Sequence, residues 1–152
     1  MTAPTSAVPP VAERTTHYGA QTKARKGALN ILYAAELQGT GLVETLTEVR
    51  SLGETTIRDL TVTIVHGVAG HQEAIDERIA ESLAGDWTLE RMPAVDRNLA
   101  RIAVFELDHT KTPPSAVIAE AMKLAGELST DDSPTFLNGL LARALATKPH
   151  DN

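Results

Sequence analysis

The stretch Pro93-Ala94-Val95-Asp96-Arg97-Asn98-Leu99-Ala100-Arg101-Ile102-Ala103-Val104-Phe105-Glu106-Leu107-Asp108 decides the fold. Pro93 suits a first helical turn, where its missing N–H would have no intrahelical partner. Val95, Leu99, Ile102, Ala103 and Leu107 then recur at helical spacing, and Ala100, Val104 and Phe105 fill much of the remaining circumference. A helix that is apolar nearly all round is buried on most sides, so this one is predicted at the centre of an all-α domain. Glu106 falls on its apolar side. A carboxylate there needs a cation, and an arginine is expected to pair with it.

The flanking segments supply partners for that helix. From Thr22 to Gln38, Ala24, Ala28, Ile31, Leu32 and Ala35 form one apolar stripe, which Gly39 and Gly41 end. A short helix over 42–51 carries Leu42, Val43, Leu46 and Val49. A long helical pattern over 55–83 contains Gly67 and Gly70, which are expected to bend or split it near His71. Downstream, Pro113-Pro114 opens a helix with Val117, Ala121, Leu124, Ala125 and Leu128. Ser133 is expected to cap a last helix, with Pro134 in its first turn and Leu137, Leu140, Leu141 and Ala144 inward. The expectation is six or seven helices and no strand. Two small helical subdomains, 19–86 and 87–147, would share one core. Residues 1–18 and 148–152 are read as tails, the first of them disordered.

The 152 residues carry 14 Lys+Arg against 20 Asp+Glu, a formal net charge of −6. The sum argues against a nucleic-acid binder, but residues 14–26 carry Arg14, Lys23, Arg25 and Lys26 with no acid. There is no cysteine, so disulfides, thiolate nucleophiles and Cys-held metals are excluded. No apolar run is long enough to cross a membrane, and residues 1–13 do not read as a signal peptide. P-loop, GxSxG and HExxH motifs are absent. His66 and His71 are poorly spaced to share a metal, and Glu73, Asp76 and Glu77 beside them read as a solvated face. No catalytic residue, metal or cofactor is therefore expected.

The first helix is more informative. At about 100° per residue, Lys23, Lys26, Asn30 and Tyr33 fall opposite the apolar stripe, with Arg25 at its flank. Cations that track phosphates beside an exposed ring suit single-stranded RNA. An ordinary solvated face, with Tyr33 partly in the core, is the competing reading.

The residues here resemble a family. Ala24-Arg25-x-x-Ala28-Leu29-x-x-Leu32-Tyr33 is similar to the opening helix of NusB proteins. Leu89-x-Arg91-Met92-Pro93-Ala94-Val95-Asp96-Arg97 and the central helix continue the resemblance. It is clearest in Val117-Ile118-x-Glu120-Ala121 and in Leu128-Ser129-Thr130-Asp131-Asp132-Ser133-Pro134-x-Phe136-Leu137-Asn138-Gly139-Leu140-Leu141. The blocks keep the family's order over about residues 19–147.

The resemblance implies an all-α NusB-like fold without catalysis, acting in the cytoplasm. It implies a partner, the small-subunit ribosomal protein known in this role as NusE. It further implies binding of the boxA element in nascent ribosomal RNA transcripts, within the RNA polymerase antitermination complex. RNA contact is expected at Lys23, Arg25, Lys26, Tyr33, Asp132 and Phe136, and partner contact at Asp96 and Arg97. Each position has a bland alternative: capping for Asp132, core packing for Phe136, and a solvated pair for Asp96 and Arg97. Gln21 and Gly27 stand where relatives often carry Arg or Lys, which thins the basic block. A protein-binding scaffold with weakened or lost RNA binding is the second reading, and a homodimer that masks the RNA face is the third. Replacing Arg25 and Lys26 by alanine together is expected to weaken RNA binding and leave stability nearly unchanged.

Overall fold

A computed structural model describes residues 19–53 and 56–148. The proposed tail at 1–18, with Arg14, and residues 149–152 of the other tail lie outside the described residues. Among the described residues six α-helices follow one another: α1 (Ala20–Gln38), α2 (Leu42–Leu52), α3 (Asp59–Ser82), α4 (Ala94–His109), α5 (Pro114–Leu128) and α6 (Ser133–Ala146). A short 3₁₀ turn, Leu89–Arg91, precedes α4. Among the described residues there is no strand.

The central position of α4 follows from its all-round apolar surface. It packs against α1, α3, α5 and α6, and Leu99–Leu107 are buried except for Arg101. One continuous core joins Leu32 of α1, Ile64 and Ile79 of α3, Leu99 and Leu107 of α4, Leu124 of α5 and Leu137 and Leu141 of α6. The second layer is α2, which lies against α1 and α3. The all-α expectation and the helix order therefore hold.

The helix ends show how sequence sets the turns. Gly39 takes φ +69, where a side chain would be strained, and the Gly39 and Thr40 N–H groups return to carbonyls of the last turn of α1. In α3 the helix breaks at His71, which has φ −126 and ψ 18. The expected cap of α6 is corrected. Ser133 is the first residue of the helix; its hydroxyl donates to Asp96 Oδ2 at 2.9 Å and accepts the Thr130 N–H at 3.2 Å, and so caps the preceding loop and not the helix. Asp132 precedes it without a side-chain cap, so the capping alternative for Asp132 fails as well.

Candidate nucleic-acid interface

The expected site residues fall into three environments. Lys23 and Lys26 project from α1 into a groove closed by α2 and the start of α3. The groove encloses about 430 Å³ and is lined by Asn30 and Arg58 on its polar side and by Ile31, Val49 and Ile57 on its apolar side. Arg58 was not found by sequence reading, because it lies in another helical segment and only tertiary packing brings it beside the lysines. Further along α1, Tyr33 keeps 41% of its surface exposed. A basic groove with an apolar floor and a ring on the same helix can hold phosphates and stack a base.

Arg25 does not belong to that face. It is 7% exposed and points into the core. Its guanidinium donates from Nε to Glu106 Oε2 and from Nη2 to Glu106 Oε1, both at 2.8 Å. Nη1 donates to Glu120 Oε1 at 3.1 Å, and the same oxygen accepts the Thr22 hydroxyl at 2.7 Å. This is the arginine expected opposite Glu106. The bidentate bond to Glu106 is the largest influence on Arg25 and raises its pKa further above the usual arginine value. A cation held this way cannot also meet an RNA phosphate, so its place in the RNA set is corrected.

Asp96 is likewise turned inward, while Arg97 is part-buried and keeps its ion pair with Glu36 at the surface. Asp96 is 2% exposed and accepts the hydroxyls of Ser129 at 2.5 Å and Ser133 at 2.9 Å. In the first turn of α4 its charge is also favoured by the helix dipole. It ties α4 to the α5–α6 connection and lines, with its hydrogen bonds filled, the hollow that also holds Asp132 and Phe136. Arg97 donates to the Leu89 carbonyl at 2.9 Å and the Met92 carbonyl at 2.7 Å, and forms an ion pair with Glu36. Arg101 joins this cluster through Glu36 at 3.2 Å and Asp76 at 2.8 Å.

That network gives a pH dependence. Hydrogen bonding to Arg97 is the main cause holding the Glu36 carboxyl below the ordinary value of 4.5, while burial opposes it. A depressed folded pKa stabilises fully above the unfolded value and is lost as pH falls through the folded one. The gap in urea midpoint between wild type and Glu36→Gln should hold down to about pH 5 and close at lower pH. A gap unchanged at pH 3 would remove Glu36 from this role.

The third environment is a different hollow. Asp132 and Phe136 line a hollow of about 220 Å³ with Trp87, Pro93 and Thr130. It is separate from the lysine groove, so the expected residues form two sites and not one. Phe136 is half-buried and packs on the core edge. On α3 and α4, His71 and His109 stack with centroids 4.0 Å apart, and burial followed by the His71 charge lowers the His109 pKa. Among the described residues no three metal-ligating side chains converge, and no helix is long and apolar enough to cross a membrane.

The NusB family model matches residues 22–146. The chain belongs to the NusB family. It is 45% identical over 131 residues to the transcription antitermination protein NusB of Nocardioides sp., covering 86% of this chain and 96% of that one. It is 51% identical over 128 residues to the NusB of Salinispora tropica, covering 82% and 93%. Among solved structures it is similar to T. maritima NusB, with a TM-score of 0.76 and 28% identity over 86% of this chain and 93% of that one. It is also similar to a chain in a structure of the antitermination factors NusB and NusE with dsRNA. That match has a TM-score of 0.72 and 26% identity, covering 83% of this chain and 96% of the other. The fold and the NusB recognition drawn from the sequence therefore stand. The site assignments do not follow from the likeness alone, and for Arg25 and Asp96 the geometry points inward.

Proposed function

We propose that this protein is a transcription antitermination factor that binds boxA-type RNA of nascent ribosomal RNA transcripts together with a small-subunit ribosomal protein acting as NusE. It performs no covalent chemistry. It works by assembly in the cytoplasm, within the antitermination complex of RNA polymerase. The observation that carries this reading is the α1 groove, where Lys23, Lys26 and Arg58 gather in a NusB-family chain whose net charge is −6. Three cations on one groove of an acidic body are a local phosphate-binding feature, while the acidic remainder suits a basic ribosomal protein. Tyr33 supplies a stacking face on the same helix. Asp132 and Phe136 contribute from the separate hollow. Arg25 and Asp96 serve the fold.

The test is a titration of labelled boxA-like RNA, with and without the ribosomal partner, at two salt concentrations. Wild type should bind more tightly with the partner and more weakly as salt rises. Lys23→Ala with Lys26→Ala should flatten the log–log salt slope by about 0.7 for each phosphate no longer neutralised, or about 1.4 in all. Unchanged binding by the double variant would take the groove out of the RNA site. Partner binding with no RNA binding under any condition would favour the scaffold reading.

A further inference from the structure

The chain has one tryptophan, and the core does not take it. Trp87 sits on the connector between α3 and α4 with 44% of its surface exposed. It is nevertheless held in place. The Phe136 ring lies 5.2 Å away, tilted by 53°, and the Arg91 guanidinium lies 5.9 Å from the indole centroid. Arg91 is fixed in turn by donating Nη1 to the Asp86 carbonyl at 3.1 Å.

Trp87 lines two hollows. One, of about 220 Å³, is shared with Phe136, Thr130 and Asp132. The other, of about 350 Å³, is lined by Ala84, Gly85, Asp86 and Arg91. The first offers aromatic surface with the Asp132 carboxylate and the hydrogen-bonded Asp96 in its lining, and the second offers the Arg91 guanidinium beside Asp86. A base presents a flat ring with N–H groups at its edge, and its phosphate is an anion. An aliphatic peptide side chain would match the rings and leave Asp132 and Arg91 unanswered.

We propose that Trp87 is a base-stacking residue of the RNA site. An unpaired base lies on the indole in the hollow shared with Phe136, and Arg91 meets the adjoining phosphate. The assignment rests on the RNA-binding reading above and adds Trp87 and Arg91 to it. Phe136 then acts chiefly as the buttress that sets the indole.

The single tryptophan makes the test direct. Labelled boxA-like RNA is titrated by anisotropy while Trp87 emission is recorded, alone and with the ribosomal partner, using Trp87→Phe as the emission blank. Emission should be quenched with the same midpoint as the anisotropy change. Trp87→Ala should bind about tenfold more weakly, and Trp87→Phe should stay within about twofold of wild type because a ring is kept. Arg91→Gln should flatten the salt slope by about 0.7. Thermal melts confirm that each variant is folded, and the emission of wild type itself reports on the indole. RNA binding with unchanged emission, or with Trp87→Ala binding like wild type, overturns the proposal and leaves the RNA-binding reading standing. Loss of partner binding in Trp87→Ala, with RNA affinity of the isolated chain unchanged, assigns the hollow to protein and also overturns it. No RNA binding by wild type in any condition fails the broader reading, and this proposal with it.

Discussion

Replacing Glu106 by alanine is expected to remove about 3–5 kcal/mol of folding stability, the usual result of breaking a buried ion pair from one side. Glu106 is 1% exposed and accepts both hydrogen bonds of a bidentate arginine. Its removal leaves the Arg25 guanidinium in the core with only Glu120 to answer its charge. Domains of this kind are stable by about 5–15 kcal/mol, so much of the total would go. Glu106→Gln keeps the shape and one acceptor oxygen, and should cost less. The double replacement Arg25→Met with Glu106→Leu should return close to wild type, because well-packed apolar residues remove the desolvation cost of both charges. Urea midpoints of the four proteins test this. A Glu106→Ala protein as stable as wild type would show that the pair contributes nothing to the fold.

The double replacement also separates structure from RNA contact. If Arg25 serves only the fold, the Arg25→Met, Glu106→Leu protein should bind boxA-like RNA as wild type does. The sequence expectation that Arg25→Ala with Lys26→Ala would spare stability is reversed by the same geometry. That variant should lose stability through Arg25, and its RNA affinity would then report unfolding as well as the missing charge. Lys23 and Lys26 are the pair to change.

What could be read in the sequence was set by local periodicity. Apolar spacing within one helix reports which face is buried, so the helices and the central place of α4 were legible. The need of Glu106 for an arginine was legible too, because an acid on an apolar face demands a cation. Which arginine answers was not legible. Arg25 flanks the α1 stripe, and position on a helical wheel does not say whether a long side chain turns inward or outward. Arg58 and Trp87 were missed for a related reason. Arg58 faces the α1 lysines across a helix junction, and Trp87 meets Phe136 from a connector that has no periodicity to read. Asp96 carried a resemblance to a surface role, yet two serine hydroxyls from the α5–α6 connection hold it inside.

Gly67 shows the same limit in the core. The bend expected near His71 is found there, and Gly67 has a further task. A Cβ built on Gly67 would lie 2.1 Å from Cε1 and 2.2 Å from Cζ of Phe105. The absent side chain lets the α4 ring seat directly against the α3 backbone, where it also stacks on His71 and His109. At Gly70 a Cβ would meet nothing within 4 Å, so the two glycines are not equivalent. Gly67→Ala gains about 1 kcal/mol of helix propensity, but overpacking at this separation should cost about 3 kcal/mol or more. The expected net loss is about 2 kcal/mol, whereas Gly70→Ala should be neutral or stabilising by up to about 1 kcal/mol. Combining Gly67→Ala with Phe105→Leu should cost less than the sum of the two single changes, because the smaller side chain opens the space that the new methyl needs. Thermal or urea unfolding of wild type, the two single variants and the double variant measures the coupling. Strict additivity would mean that the methyl and the ring do not collide, and that the close approach of α3 to α4 is not what Gly67 provides.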